Sequence, residues 1–461
     1  MYGGVNKAGW AAILAGGLML GAVVPAQSAD LGGDCCGDLE ERIAELEATT
    51  VRKGNRKVKL EIYGKVNEAV MFWDDGDEQN AYVVTNDASR SRFGFRGGAK
   101  ISDDLSANFR IEIGVRSANS KRNNQFDPKG ENGFDIRHVW WNLKSKTWGK
   151  IQVGHTPTAS QEITEINLAG TSDVGKFSDV EDSGGGFLLV AKGASAYSGT
   201  NAQGAYTGLQ WRRLIARTGA QPGEGDRRPA VMYETPEFAG FTASASWGGD
   251  DFWDVGLRFE KEVGEFEIEA GLAYAQITDQ SDDGATHGCP VRDTAASTDA
   301  KCQMLGGSVS VMHTKSGIYG NFAAGQMWDD LANGSHPNLP AGVDDTYKFW
   351  ATEIGIQQKW NSLGKTTLFG QYYNYSGGAI NQTIVGADPI NSFNGNARIA
   401  SSDVDMWGLG IMQKIDAADM KLYALYRHYE FDLQLTDGTA IQAANPLEDF
   451  QVLMTGAVIN F

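Results

Sequence analysis

The sequence lacks the features that mark a helical membrane protein or a hydrolase. Beyond residue 30 it has no run of 18 apolar residues, so membrane-spanning helices are excluded. It has no Gly-x-Ser-x-Gly motif and only six scattered histidines, so a nucleophile with a positioned base is not indicated. Its net charge is −18, and this acidic balance argues against nucleic acid as a partner, because binding to phosphate needs clustered Lys and Arg.

Cysteine is also scarce, and its spacing does not indicate a metal site. The four cysteines are Cys35, Cys36, Cys289 and Cys302, and none belongs to a Cys-x-x-Cys motif. We therefore predict no bound metal and no cofactor. In an exported chain Cys289 and Cys302 would oxidise across one polar segment, while Cys35 and Cys36 are candidates for links between chains.

The first 29 residues have the pattern of a secretory signal peptide. Lys7 supplies a positive charge, residues 8–24 are apolar, and small residues surround the expected cleavage point after Ser28 or Ala29. We predict that residues 1–29 are removed on export and take no part in the fold.

Residues 30–57 are predicted to form a periplasmic leader with a short helix. Leu39, Ile43 and Leu46 have the spacing of one helical stripe. So short a helix needs a partner, which would be another copy of the chain or the rest of the protein. The alternative is a leader without regular structure.

From residue 58 onward the polarity pattern has the period of two that is typical of β-strands. For example, Ile268 and Leu272 alternate with Glu267 and Glu269. Sixteen such segments occur between residues 58 and 461, and short turns alternate with long connections. Transmembrane barrels sort their loops in this way, whereas a soluble sandwich has no reason to do so. The sequence therefore predicts an all-β fold, a sixteen-stranded antiparallel transmembrane β-barrel over residues 58–461.

A barrel of about sixteen strands is too wide to be filled by side chains, so it would enclose an aqueous channel. Because Arg or Lys facing lipid at mid-membrane costs about 2–4 kcal/mol, charged residues should face the lumen. Alternation with apolar neighbours places Arg92, Arg96, Arg110 and Arg228 inward. Arg137 lies in a strand with apolar residues on both parities, which indicates either a β-bulge or a subunit contact.

Several segments resemble the general porins of Gram-negative bacteria. The last strand ends in Phe461, which is similar to the assembly signal of bacterial outer-membrane proteins. The Ser-Arg-Phe-Gly-Phe-Arg-Gly of residues 91–97 resembles the second strand of trimeric porins. The Gly-Lys-Ile-Gln-Val-Gly-His of residues 149–155 resembles their fifth strand, immediately before the loop that folds into the pore. The resemblance covers residues 58–461, and the leader with its Cys pair is similar to the alphaproteobacterial porins.

The resemblance implies a homotrimer of barrels in the bacterial outer membrane, each with its own pore. The implied partners are small hydrophilic solutes, membrane lipid and lipopolysaccharide, and the outer-membrane assembly machinery. It also implies that residues 156–227 fold inward as a constriction loop, opposite a basic wall that includes Arg92, Arg137 and the Arg227/Arg228 pair. The acidic residues of that loop would face the wall: Glu162, Glu165, Asp173, Asp179, Glu181 and Asp182.

The predicted function is passive diffusion of small hydrophilic solutes and ions through a water-filled channel, without enzymatic activity. The alternatives are a substrate-specific channel and a structural or adhesive outer-membrane barrel. Opposed charges at the constriction partly cancel, and the excess acid elsewhere should then favour cations weakly. Alternatively, the loop acids lie on a solvated surface, and the arginines pair with Glu112 and Glu260.

We expect Cys289 and Cys302 to form an intrachain disulfide. A closed loop of about 14 residues would contribute roughly 3 kcal/mol by restricting the unfolded chain. Peptide mapping after alkylation without reductant should recover both residues in one cross-linked peptide, and reduction should separate it. Recovery of both cysteines as alkylated thiols before reduction would rule out the bridge.

Overall fold

The computed structural model describes residues 58–193, 206–215, 221–249, 251–278, 301–329, 343–379, 384–386, 390–393 and 395–461. The predicted signal peptide, the leader with its helix and Cys pair, and Cys289 lie outside these residues. Cys302 is described and takes part in a disulfide, so its pairing with Cys289 stays a prediction. Within the described ranges, no helix is long and apolar enough to cross a membrane.

One antiparallel sheet of nineteen strands makes up the described fold, and sixteen of its strands form the wall. The wall strands are β1 (Lys59–Asp74), β3 (Arg92–Lys100), β4 (Leu105–Arg116), β5 (Gly133–Ser145), β6 (Gly149–Thr156), β9 (Arg228–Glu234), β10 (Phe241–Gly248), β11 (Trp253–Val263), β12 (Phe266–Thr278), β13 (Lys301–His313), β14 (Ile318–Asp329), β15 (Thr346–Asn361), β16 (Gly364–Gly377), β18 (Ala397–Ile415), β19 (Met420–Thr436) and β21 (Phe450–Asn460). The short strands β2 (Gln79–Thr85), β17 (Ile384–Val385) and β20 (Ile441–Ala443) extend this sheet, and β7 (Leu188–Val190) pairs with β8 (Tyr206–Gln210) separately.

The sheet closes because the last strand pairs with the first. β21 pairs with β1 along a continuous register that begins at Lys65 and Asn460. Beyond that pair, Gly64 and Phe461 exchange two backbone hydrogen bonds of 2.8 and 3.0 Å. Closure leaves no free edge in lipid, where an unpaired backbone group would find no water. The predicted sixteen-stranded barrel is confirmed.

Side chains alternate between the two faces of the wall as predicted. On β12, Leu272 faces outward and is 58% exposed, whereas Ala273 is buried. Gly271 marks the inner face, because a Cβ built there would lie 2.6 Å from Ile163 inside the barrel. The exposed apolar side chains therefore form the lipid-facing surface, each stabilised by removal from water.

The 156–227 segment, between β6 and β9, lies inside the barrel. The Ser160 amide donates to Asp254 Oδ2 of the wall at 2.8 Å, and the Ile166 amide donates to Ser308 Oγ at 3.2 Å. The inward fold predicted for this segment is thus confirmed in its described part.

Aromatic side chains hold the later part of the segment against the wall. Phe187 packs on Trp73 and Phe450 with ring centroids 4.8 and 4.9 Å apart, and Trp211 packs on Tyr429 at 4.7 Å. All five rings are at most 3% exposed. Tilted aromatic pairs of this kind contribute about 0.5–1.5 kcal/mol each beyond burial of their area.

One wall position is divided between two strands. β2 pairs with the second half of β1, and β3 pairs with its first half. Between them, the 3₁₀ turn Asp87–Ser89 is buried toward the 156–227 segment, where Asn86 Nδ2 donates to the Val174 carbonyl at 2.8 Å. β3 begins at Arg92 because this turn precedes it.

Candidate functional site

The barrel encloses a charged cavity of 1540 Å³ between the 156–227 segment and the strands β1, β3–β6 and β9–β12. Its described lining contains fourteen basic and twelve acidic residues. The basic residues are Lys65, Arg90, Arg92, Arg96, Arg110, Arg116, Lys121, Arg122, Arg137, Lys144, Lys150, Lys176, Arg227 and Arg258. The acidic residues are Asp87, Glu112, Asp135, Glu162, Glu165, Asp173, Asp179, Asp182, Glu224, Asp226, Glu234 and Glu269.

On the wall side of the cavity, one buried carboxylate gathers three arginines. Glu112 lies 2.5 Å from Arg110 Nη2, 2.8 Å from Arg137 Nε and 3.7 Å from Arg92 Nη1. The Tyr63 hydroxyl also donates to it at 2.9 Å. A single negative charge cannot neutralise three guanidinium groups, so this part of the wall carries a net positive charge.

A β-bulge brings Arg137 into this group. β4 pairs with β5 at Glu112 and His138, and the next pair is Ile113 with Ile136, so Arg137 is the extra residue. Both Arg137 and His138 consequently point inward and are buried. The bulge explains the apolar residues on both parities and confirms the first of the two sequence-based alternatives.

Four of the five predicted basic residues line the cavity: Arg92, Arg96, Arg110 and Arg137. Arg228 is absent from the described lining and is 3% exposed, with its guanidinium carbon 3.6 Å from the centre of the Phe252 ring. Its neighbour Arg227 lines the cavity instead and pairs with Glu162 at 2.9 Å. The two neighbouring arginines point in different directions, so Arg227 pairs with Glu162 whereas Arg228 packs on Phe252.

Five of the six predicted acidic residues line the cavity: Glu162, Glu165, Asp173, Asp179 and Asp182. Glu181 lies behind them, fully buried, where Gln221 Nε2 donates to it at 2.7 Å. Sequence reasoning missed Glu224, which also lines the cavity and is 3% exposed. No periodicity marks Glu224, because it lies in an irregular part of the segment.

Glu165, Asp179, Glu181, Asp182 and Glu224 form the carboxyl cluster of this segment, and two lysines pair with four of them. Lys176 Nζ lies 2.6 Å from Glu165 and 2.9 Å from Asp179. Lys121, from the connection between β4 and β5, lies 3.1 Å from Asp182 and 3.3 Å from Glu181. With fewer cations than carboxyl groups, the cluster cannot ionise completely without strong repulsion.

The pKa values of the cluster follow from this imbalance. Burial raises the pKa of Glu181 to about 7, although Lys121 opposes the shift. Burial and the charge of Asp179 raise the pKa of Glu224 to about 7. Burial also raises the pKa of Glu165 well above its usual range. The segment therefore carries less negative charge at neutral pH than its composition suggests.

A buried polar network fastens the 156–227 segment to the opposite wall. Glu353 is fully buried and accepts hydrogen bonds from five neutral side chains: Asn167, Thr171, Tyr319, Asn321 and Gln371. Gln371 in turn accepts from Arg427 Nη2 at 2.9 Å. Buried polar networks of this kind hold their members rigidly only while every group is satisfied.

Arg427 is the contact of this network with the segment backbone. Its guanidinium donates to the carbonyl of Lys176 at 2.5 Å, to the carbonyl of Val180 at 3.3 Å and to Ser183 Oγ at 3.1 Å. The side chain is fully buried. Arg427 thus positions the same stretch that carries Lys176 and the carboxyl cluster.

A closed transmembrane barrel with a charged internal cavity defines a membrane channel. The model of the Gram-negative porin family matches residues 18–434. The chain therefore belongs to the Gram-negative porins, and it is an outer-membrane channel for the passive diffusion of small solutes.

Individual relatives are distant. The chain is 21% identical over 325 residues to the chitoporin of Vibrio furnissii, covering 69% of this chain and 73% of that protein. OprB of Pseudomonas putida is similar in structure, with a TM-score of 0.50, 11% identity and coverage of 92% and 97%. An anion-selective porin from Comamonas acidovorans gives a TM-score of 0.48, 15% identity and coverage of 88% and 100%.

Replacing Arg427 by leucine should release the 156–227 segment. The Lys176 carbonyl would lose its donor, at a cost of about 1–3 kcal/mol, whereas the Val180 carbonyl would keep its hydrogen bond from the Tyr429 hydroxyl. We expect a larger and noisier single-channel conductance in planar bilayers. The matched control Lys359→Leu removes an exposed positive charge near the end of β15 and should leave conductance unchanged. An Arg427→Leu channel with unaltered conductance would contradict the anchoring role.

Proposed function

We propose that the cavity is the constriction of the channel and that ion selectivity is weak, with a slight preference for anions. The observation that supports this is the lining, in which fourteen basic residues oppose twelve acidic ones. Burial raises the pKa of Glu165, Asp182 and Glu224, so the lining is more positive than this count. The cation preference expected from the sequence rested on the net charge of −18, which counts residues far from the cavity. At 0.1 M salt, charges more than about 10 Å away are largely screened.

The two sides of the proposed constriction carry opposite charge. The arginines around Glu112 stand on the wall, and the carboxyl cluster stands on the 156–227 segment. Opposed charges create a transverse field in which dipolar solutes align, whereas apolar solutes would give up hydration without compensation. We propose that these groups act on solutes only by orienting and filtering them, with no catalytic role.

Reversal potentials in a salt gradient should report this arrangement. Neutralising the wall with Arg92→Gln and Arg110→Gln should raise the cation-to-anion permeability ratio by roughly two-fold, the scale of partly exposed charge interactions. Neutralising Glu162 and Asp179 should lower it. Lys348→Gln, on the outer face, is the control and should have no effect. Strong cation selectivity of the unmodified protein at low salt would refute the proposal.

We also propose that the channel is a homotrimer whose subunits meet at the outer face of β1 and β2. Glu68 lies on that face between the exposed side chains of Val66 and Val70. The opposite parity faces inward, since Asn67 Nδ2 donates to the Asp173 carbonyl at 3.0 Å. Glu68 accepts hydrogen bonds of 2.8 to 3.0 Å from three hydroxyl groups: Thr85, Ser91 and Ser117.

A carboxylate in an apolar lipid-facing band is unfavourable. Contact with another protein surface that supplies further polar groups would remove that cost. We propose that this surface belongs to a second copy of the chain.

Glu68→Leu therefore distinguishes a subunit contact from a lipid contact. At a subunit contact, the three hydroxyl groups would lose their acceptor, and the heat-induced dissociation of the oligomer on detergent gels should occur at a lower temperature. Leu409→Ala, on an apolar part of the outer face, is the control. Native mass spectrometry should show a trimer for the unmodified protein, and a monomer in gentle detergent would end this proposal.

A further inference from the structure

Glu162 has an unusual backbone conformation at the edge of the cavity. Its φ is 57°, in the left-handed region that non-glycine residues rarely adopt. Such a conformation costs about 1–3 kcal/mol and persists only where the surroundings determine it. The Glu162 side chain is 56% exposed in the cavity, and its Oε1 lies 2.9 Å from Arg227 Nη2.

The Glu224 carboxylate accepts hydrogen bonds from both ends of this left-handed turn. Its Oε1 accepts the Glu162 amide at 2.7 Å, and its Oε2 accepts the Thr164 amide at 3.4 Å and the Thr164 hydroxyl. Glu224 and Thr164 are buried at 3% and 0% exposure. One carboxylate thus binds donors on both sides of Glu162, and hydrogen bonds to an ionised acceptor are about twice as strong as neutral ones.

The wall fixes the position of Glu224 itself. A Cβ built on the adjacent Gly225 would lie 2.4 Å from Ser160 Oγ, so the two stretches of the segment are in close contact. Ser160 donates through its amide and its hydroxyl to Asp254 Oδ2 of β11, at 2.8 and 2.6 Å. The wall, Ser160, Gly225 and Glu224 therefore form a continuous support for the turn.

We propose that Glu224 is a positioning residue for selectivity: it fixes the Glu162 carboxylate opposite the arginine wall and acts through that carboxylate rather than through its own charge. The inference rests on the proposed constriction. Arg227, the ion-pair partner of Glu162, lies three residues after Glu224 on the same stretch. The stretch therefore holds both the backbone and the side chain of Glu162.

The surroundings of Glu224 make this support dependent on pH. Burial and the charge of Asp179 raise the pKa of Glu224 to about 7, while Lys176 opposes the shift. The other ionisable groups around it are Glu162, Glu165 and Asp254. Above pH 7 the ionised carboxylate accepts all three donors, and below it the protonated group binds the turn less strongly. The effect of Glu162 on selectivity should therefore weaken as the pH falls through about 7.

A double-mutant cycle tests whether Glu224 acts through Glu162. The permeability ratio is measured from reversal potentials for the native protein, Glu224→Gln, Glu162→Gln and the double variant. We expect Glu224→Gln to change the ratio by roughly two-fold in the native background and to cause no further change in the Glu162→Gln background, because coupled residues are not additive. Equal changes in both backgrounds would show that Glu224 acts by its own charge and would overturn the proposal.

Asp173→Asn is the matched control. It neutralises a cavity-lining carboxylate that binds Lys65 and not the turn, so its effect should persist in the Glu162→Gln background. Loss of that effect as well would overturn the specific role of Glu224. If Glu162→Gln alone leaves the ratio unchanged, the proposed constriction fails first, so the two failures are distinguishable.

The pH profile provides an independent measurement that does not require a folded Glu224 variant. The native permeability ratio should change with a midpoint close to pH 7, and Glu162→Gln should abolish that change. Glu181→Gln removes a second carboxyl group whose pKa burial raises to about 7, and this variant should retain the change. A native ratio that is constant from pH 5 to 9, or a midpoint lost in Glu181→Gln, would overturn the proposal.

Discussion

The interior of a bilayer offers no water to a peptide group, and this constraint determines the rest of the structure. Every backbone donor in the hydrocarbon region must be paired within the protein, so a sheet that crosses the membrane has to close. Closure occurs here between β1 and β21 and continues to the exchange between Gly64 and Phe461. Once the sheet is closed, the two faces of each strand have different solvents. Apolar side chains stabilise the outer face, and charged side chains are left to the inner one.

The charged residues of the inner face fall into two groups with different surroundings. Glu353 and Arg427 are fully buried, and neutral donors and backbone carbonyls surround them, so they serve as fixed supports for the 156–227 segment. Around Glu112 and Glu162, by contrast, charges of both signs line the cavity. The buried supports at Glu353 and Arg427 keep the charges around Glu112 and Glu162 apart, because opposite charges on an unsupported loop would move together and neutralise one another.

Much of the fold could be predicted from the sequence, and less of the site. Alternation is a local signal, so it was sufficient to place the sixteen strands and to direct Arg92, Arg96 and Arg110 inward. At Arg137 the signal was ambiguous because a bulge interrupts the period. Alternation also directed Arg228 to the cavity, but of the Arg227/Arg228 pair that the resemblance implied only Arg227 lines it, and Arg227 precedes the strand, so the period does not reach it. Glu224 could not be found, since an irregular segment has no period that relates position to direction.

What the sequence determined by itself is therefore the barrel. The two-residue period of a strand indicates which side chains face lipid, and this pattern is present in each strand independently of the others. Only the tertiary structure decided which charges meet. Arg137 reaches Glu112 across 25 residues of sequence, Glu162 meets Glu224 across 62, and Arg427 meets Val180 across 247. Contacts at such separations depend on how the closed barrel and the segment inside it fit together, and that geometry is a property of the whole chain and of no local pattern.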